Sequence, residues 1–175
     1  ERFKIADGIV CESCHGPAEK WIKPHVNPVS DPAKHHAFNV ENGLYDTADA
    51  TSRAKLCLSC HFGNKDKLVT HRIMGAGHPR MSFELDTFTE IAPKHFVVDK
   101  DYGERKRIWD GVKTWAVGQA LAVQDTMDIL VDEKLGRDGL FPELVLFDCH
   151  ACHHAMSDGR WKPKTAFGPS ISPGL

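Results

Sequence analysis

The feature that most constrains this chain is a five-residue motif, Cys-x-x-Cys-His, which occurs three times and uses all six cysteines. The copies are motif 1 (Cys11, Cys14, His15), motif 2 (Cys57, Cys60, His61) and motif 3 (Cys149, Cys152, His153). With 6 Cys and 11 His among 175 residues, chance would produce roughly 0.01 such motifs per chain. The three copies therefore indicate one function repeated three times.

Cys-x-x-Cys-His is the attachment signature of haem c. The two thiols bond to the two vinyl groups on one edge of the porphyrin, and the adjacent histidine binds the iron as its proximal ligand. The sequence therefore predicts three covalent haems. In each motif the two cysteines are the attachment residues, and His15, His61 and His153 are the proximal ligands.

Other uses of paired cysteines fit this pattern poorly. A zinc site would take two Cys-x-x-Cys pairs per metal ion, would not require the histidine, and would leave the third pair idle. A disulfide framework would not repeat one spacing three times. A thioredoxin-like redox pair needs a single motif before a helix in a βαβ unit, and no such unit is predicted.

Composition limits the fold class and the partners. The length corresponds to about one domain. The hydrophobic content is 41%, or about 48% when Gly is counted and Tyr is not, which is ordinary for a globular chain. No apolar run approaches the length of a membrane span. A net charge of −2 gives no basic field, so nucleic acid is not an expected partner. We predict a single multihaem domain over residues 1–175.

Haem c is attached outside the cytoplasm, so we expect a periplasmic or extracellular location. The chain opens at Glu1 with no charged and apolar leader. The expectation is that a signal peptide has been removed, or that the chain is a processed or truncated product.

The predicted fold is mainly α-helical with much irregular loop, wrapped around the haems and containing one long amphipathic helix. Closely spaced prolines predict that residues 1–36 form a loop that wraps a haem. Helices are predicted over 47–61, capped by Asp46 or Thr47, and over 66–78, ended by Pro79. Residues 83–100 are predicted to be irregular, and the proline-containing tail over 161–175 to be extended.

The strongest periodic pattern predicts the long helix, over residues 103–135, ended by Gly136 and Gly139. Its apolar stripe is interpreted as core, with a dimer or packing face as the alternative. The stripe consists of Ile108, Val112, Trp115, Gln119, Val123, Met127 and Leu130, widened by Ala116, Ala120 and Val131.

Eight histidines lie outside the proximal positions, which is enough to supply a sixth ligand to every iron. His71 and His78 are the best candidates, because a seven-residue spacing places them on one helix face beside small residues. His25, which follows Pro24 in a rigid loop, is the third candidate. The remaining alternatives are His35, His36, His95, His154, Met74 and Met81, whereas His150 lies inside motif 3 and cannot reach over its own haem.

Several short sequence segments resemble those of the multihaem cytochromes of the cytochrome c554 type. They lie at residues 8–17, 56–61, 70–71, 76–79 and 148–154, within a resemblance that covers roughly residues 8–100 and 140–162. The resemblance implies helical wrapping, closely paired haems, mainly bis-histidine ligation, electron transfer, and an axial role for His78 in the word Ala-Gly-His-Pro. Relatives usually carry a further motif upstream. One of His25, His71 and His78 is therefore a candidate ligand for a haem that this chain lacks, or for a haem of a neighbouring chain.

The sequence predicts an electron carrier or relay whose partners are redox proteins, neighbouring copies or other haem proteins. The alternative is a haem enzyme with one open-coordinate iron that acts on a small nitrogen oxide, hydroxylamine or peroxide. Arg80, Glu84, Asp86 and Glu90 are the charged residues that would line such an open site, with solvated loop charges as the other interpretation. A haem-based sensor or a structural module is a third class.

Overall fold

The computed structural model describes residues 4–27, 31–78, 80–135, 143–147 and 149. Helical residues make up 56% of this part of the chain, and it contains no strand. The prediction of a mainly α-helical chain is therefore confirmed. No helix among these residues is long and apolar enough to cross a membrane.

Seven α-helices follow one another along the described residues. They are α1 Cys11–His15, α2 Pro32–Glu41, α3 Ala50–His61, α4 His71–Gly75, α5 Leu85–Ile91, α6 Lys100–Arg105 and α7 Gly111–Val131, with short 3-10 turns at Ile5–Asp7, Pro24–Val26 and Leu144–Leu146. The chain divides into two compact units. Unit 1 comprises residues 1–62 and 82–123, and unit 2 comprises residues 63–81 and 124–175. The prediction of a single multihaem domain stays a prediction.

Unit 1 is built on a small apolar core where α3, α5 and α7 meet. Ala54 and Leu58 of α3 pack with Leu85 of α5, and Val117 and Leu121 of α7 cover them. The chain approaches closely here because α7 carries a glycine at its contact with α5. A Cβ at Gly118 would lie 2.8 Å from the Cβ of Leu85, closer than two carbon atoms pack without strain.

Helix α3 confirms the helix predicted to run into motif 2, but it begins three residues later than expected. Its N-cap is Asp49, whose carboxylate accepts a 2.8 Å hydrogen bond from the Ser52 N–H. The predicted cap Asp46 instead accepts hydrogen bonds from the N–H groups of Ala48 and Asp49 in the preceding turn. The bond from the Ser52 N–H lowers the pKa of Asp49.

Asp49→Ala is expected to lower the free energy of unfolding by about 1 kcal/mol at pH 7, because it leaves a first-turn N–H without its acceptor. The folded-state pKa lies below the unfolded value. The stabilisation is therefore complete above about pH 4 and is lost as the pH falls through the folded-state pKa. Urea titrations at pH 7 and pH 3 measure this change. Asp49→Asn, which keeps a capping oxygen, is the control; equal losses for both variants would contradict the capping role.

The helix predicted over 66–78 was wrong. Residues 64–67 form a turn in which the Asn64 side chain accepts hydrogen bonds from the N–H groups of Asp66 and Lys67. Helix α4 begins only at His71, is capped by Thr70 and ends at Gly75. An asparagine side chain that replaces the first helical hydrogen bonds favours a turn over a helix. The predicted stop at Pro79 lies outside the described residues.

Two segments predicted to be irregular contain helices. Pro32 opens α2, which Asp31 caps through hydrogen bonds from the N–H groups of Ala33 and Lys34. Glu84 caps α5 in the same way, through hydrogen bonds from the N–H groups of Asp86 and Thr87. Proline at the first helical position and an acidic cap before it are start signals, but the sequence interpretation treated the prolines of residues 1–36 only as helix breakers.

The single helix predicted over 103–135 is interrupted. Helix α6 ends at Arg105, Lys106 is extended, and α7 begins after Asp110, whose carboxylate accepts a 3.0 Å hydrogen bond from the Lys113 N–H. Between the two helices the Trp109 Nε1–H donates to Glu90 of α5. This long-range contact and the Asp110 cap override the local helical pattern. Helix α7 ends at Val131, so the stop at Gly136 and Gly139, which are outside the described residues, is not needed.

The interpretation of the apolar stripe as core was also wrong. Most of its large side chains are at least half exposed, among them Val112 (78%), Trp115 and Val123. The buried face of α7 is a different one, on which Thr114 is 1% exposed and Gly118 contacts Leu85. Small residues on this face permit close packing, whereas hydrophobicity alone indicated the opposite side.

Candidate haem sites

Motif 1 forms helix α1, and this places its three functional side chains together. Cys11, Cys14 and His15 are spaced i, i+3 and i+4, so they share one helix face. Both cysteines are exposed. Gly16 ends the helix with a positive φ of 76°, and a Cβ there would overlap the Gly43 carbonyl oxygen.

The close approach at Gly16 fixes motif 1 to the segment after α2. The Tyr45 N–H donates a 2.9 Å hydrogen bond to the carbonyl oxygen of His15. On the other side of the helix, the Glu12 carboxylate accepts a 2.7 Å hydrogen bond from the Ala18 N–H. These bonds hold the histidine of motif 1 at a defined position in unit 1, although α1 itself is short.

Motif 2 occupies the last turn of α3, and its first intervening residue anchors it in the core. Leu58, between Cys57 and Ser59, is 2% exposed. Cys57 is half-buried and packs against the same core, whereas Cys60 is exposed. The sequence interpretation treated the two intervening residues as spacers, and it missed this anchoring role.

Motifs 1 and 2 both lie in unit 1, so one compact part of the chain holds residues of two predicted haem sites. Burial raises the pKa of the Cys57 thiol, and the charge of Cys14 raises it further.

The predicted proximal histidine of motif 2 packs on aromatic side chains. The His61 ring stacks on Phe83, with ring centroids 4.7 Å apart and planes 9° from parallel. Phe88 of α5 lies 6.0 Å away from the same ring. The stacking orients the imidazole and surrounds it with apolar surface, while the residue remains exposed.

The predicted proximal histidine of motif 1 contacts a second histidine. The centroids of the His15 and His95 rings are 5.8 Å apart, and their planes meet at 79°. Burial lowers the pKa of His15, and the charge of His95 lowers it further. This pair favours the neutral imidazole, which is the form that binds metal ions.

Three other histidines of unit 1 bond to groups near them. His25, a predicted axial ligand, lies 2.5 Å through Nδ1 from the Ile22 carbonyl oxygen. His35 lies 2.9 Å through Nε2 from the Pro24 carbonyl oxygen, and His36 pairs with Asp46 at 3.2 Å.

His71 and His78 do not lie on the same helix. His71 is the first residue of α4, whereas His78 follows the helix and a left-handed Gly77 with φ 101°. The prediction that both share one helix face was therefore wrong, because the helix over 66–78 does not form. Both histidines belong to unit 2.

Unit 2 connects this segment to the residues before motif 3. The buried Glu143 carboxylate accepts hydrogen bonds from the N–H groups of His71 (2.8 Å) and Val145 (2.7 Å). Arg80 donates a 2.6 Å hydrogen bond to the Val145 carbonyl oxygen. Of motif 3 itself the structure describes only Cys149, which is exposed. The predictions for Cys152, His153, His150, His154 and the tail over 161–175 concern residues outside the described part of the chain.

The charged residues considered for an open catalytic site have structural contacts. Glu84 caps α5, and Glu90 binds Lys94 and the Trp109 Nε1–H. Arg80 bonds to Val145, while a buried oxygen of Asp86 lies beside Gly111. Three of the four therefore support the fold through hydrogen bonds.

The residues of motifs 1 and 2 fit the requirements of haem c. In motif 1 two exposed thiols and the histidine that follows lie on one helix face. In motif 2 the half-buried Cys57, the exposed Cys60 and His61 lie in the last turn of a helix. Apolar side chains flank motif 1 in exposed positions, including Ile9 (86%) and Val10. Within the described residues no group of three or more His, Cys, Asp or Glu is placed to hold a metal ion. A haem c iron requires fewer protein donors, namely one histidine and one further ligand.

Comparisons with family models, with curated proteins and with solved structures find no match for this chain. Its function is therefore inferred from its own residues.

Proposed function

We propose that the chain is a triheme c-type cytochrome that carries or relays electrons. The observation that carries this proposal is that motif 1 forms a helix on which two exposed thiols share one face with His15. Motif 2 lies in the same compact unit, and two redox centres held in one unit suit electron transfer through the chain. The resemblance to cytochromes of the c554 type is consistent with the same function.

The proposed chemistry of attachment uses only the thiols and the porphyrin. Each cysteine sulfur bonds to one carbon of a vinyl group, and the thiol proton goes to the other carbon, so the addition consumes no oxidant. His15, His61 and His153 then bind iron through a neutral imidazole nitrogen. When bound, haem c supplies a one-electron Fe(III)/Fe(II) couple whose potential depends on the axial ligands and on burial.

The proposal includes an exported location, periplasmic or extracellular, because haem c is attached there. The partners are redox proteins, with neighbouring copies of the chain or other haem proteins as further acceptors. A haem that lies near the surface suits such partners. The exposed apolar side chains beside motif 1, Ile9 and Val10, are consistent with this arrangement.

Haem stoichiometry tests the proposal. The protein produced with the haem-attachment machinery is expected to contain three covalent haems by the pyridine haemochrome assay and by intact mass. The double substitution Cys11→Ala/Cys14→Ala is expected to lower the count to two, because it removes both attachment bonds of motif 1. Ser13→Ala, between these cysteines, is the matched control and should retain three. A bare polypeptide mass, or zinc bound to the sulfurs, would overturn the proposal.

Carbon monoxide separates the carrier from an enzyme with an open-coordinate iron. Six-coordinate low-spin irons have no free position, so we expect the optical spectrum of the reduced protein to stay unchanged when carbon monoxide is added. A carbon monoxide adduct, together with a high-spin ferric EPR signal, would contradict the purely bis-histidine relay.

A further inference from the structure

We infer that His95 is the second axial ligand of the iron whose proximal ligand is His15. The inference rests on the proposed function, because it assigns a ligand to the haem proposed at motif 1. It starts from the 5.8 Å separation of the two ring centroids. Two imidazoles that bind one metal ion from opposite sides, each with a metal–nitrogen distance of about 2 Å, have ring centres roughly 6 Å apart.

His95 is held in position by aromatic packing. Its ring makes an edge contact with Phe96, with centroids 5.3 Å apart. Phe96 in turn stacks on Tyr102 of α6 at 5.4 Å and contacts Trp109 at 6.4 Å. A histidine that is fixed by its neighbours loses little conformational freedom when it binds a metal ion.

The segment that carries His95 is also fixed to α5. Glu90 accepts hydrogen bonds from Lys94 at 3.2 Å and from the Trp109 Nε1–H at 3.0 Å. Lys94 lies over the Trp109 ring, 5.0 Å from its centroid. Residues on both sides of His95 in the sequence are therefore tied to the same scaffold in unit 1.

The surroundings of the pair suit a porphyrin. The residues before motif 1, Ile9 and Val10, are exposed, and so are Phe96, Val97 and Val98, which follow His95. Exposed apolar side chains close in sequence to both histidines favour binding of an apolar group. A porphyrin is a large, flat apolar group, and its iron takes one ligand from each side.

The test compares His95→Ala with His36→Ala in the purified holoprotein. His36, one of the alternative ligands in the sequence, is the control because its ring pairs with Asp46 in the same unit and not with a motif histidine. For His95→Ala we expect three haems by pyridine haemochrome, with one of the three changed from low spin to high spin in the ferric EPR spectrum. The same haem should bind carbon monoxide when reduced, and added imidazole should restore the low-spin signal. His36→Ala should leave all three haems low spin.

His95→Met provides a second measurement in case the alanine variant does not accumulate. Methionine keeps the iron six-coordinate and raises its potential, so one of the three haems is expected to titrate at a higher potential. A redox titration followed by optical absorption measures this change.

Different results distinguish failure of the inference from failure of the proposed function. Three low-spin haems in His95→Ala, an unchanged titration in His95→Met, or the same high-spin signal in His36→Ala would overturn the assignment of His95 while the haem count still supports a cytochrome. Absence of covalent haem from the unsubstituted protein would overturn both. Haem loss in Cys11→Ala/Cys14→Ala identifies the affected centre: combined with this substitution, His95→Ala should create no new high-spin haem.

Discussion

Leu58→Ala is expected to lower the free energy of unfolding by about 2–5 kcal/mol, the range for a buried leucine that leaves a cavity. Leu58 is almost fully buried and packs with Ala54 and Leu85 where α3 meets α5. Few large side chains are fully buried in the described residues. Few neighbouring side chains are therefore available to fill the cavity that the substitution leaves. Urea denaturation of the purified protein, followed by far-UV circular dichroism, measures the loss.

The same variant separates the structural role of Leu58 from the chemistry of motif 2. Because Cys57, Cys60 and His61 are unchanged, the haem count should remain three. Val112→Ala is the control, since its exposed side chain lies on α7 in the same unit, and it should change the stability by less than about 0.5 kcal/mol. Equal losses in the two variants would show that Leu58 does not anchor motif 2 in the core.

Gly118→Val should destabilise the protein by about 1–3 kcal/mol, because the added methyl groups must enter space already filled by Leu85. A Cβ alone would lie 2.8 Å from the Leu85 Cβ. Both positions belong to the packing of α7 on α5, so the strain cannot be relieved by a flexible surface side chain. Thermal and urea unfolding of the purified protein measure the effect.

Gly103→Val is the matched control for this substitution. Gly103 lies inside helix α6 of the same unit, and a Cβ there would meet Ile108 at an ordinary 3.5 Å. Both variants carry the same change in helix propensity, so the difference between them isolates the steric conflict with Leu85. A stability of Gly118→Val equal to or above that of Gly103→Val would contradict the close packing of α7 on α5.

The elements predicted well from the sequence are those with local signals. Helix α3 is an example, because a run of helix-forming residues follows an acidic cap and leads directly into motif 2. Helix α5 was missed although Glu84 caps it, since its seven residues are too few for a periodic pattern to emerge. Helix α4 was overextended because the side chain of Asn64 competes with the helical hydrogen bonds.

Long-range contacts explain the remaining differences. The break after Arg105 depends on Trp109, which reaches Glu90 of another helix. The apolar stripe of α7 has the correct helical period, but periodicity does not tell which face meets the rest of the fold. Packing selected the face with Thr114 and Gly118, because small residues allow α5 to approach.

The sequence by itself determined the three Cys-x-x-Cys-His motifs and the prediction of three covalent haems, because the spacing of thiols and histidine within five residues carries that chemistry. Only the tertiary structure brought His95 into contact with His15. These two residues are far apart in the chain. Their contact depends on the turn at Gly16 and on the aromatic packing of Phe96, which no local pattern specifies.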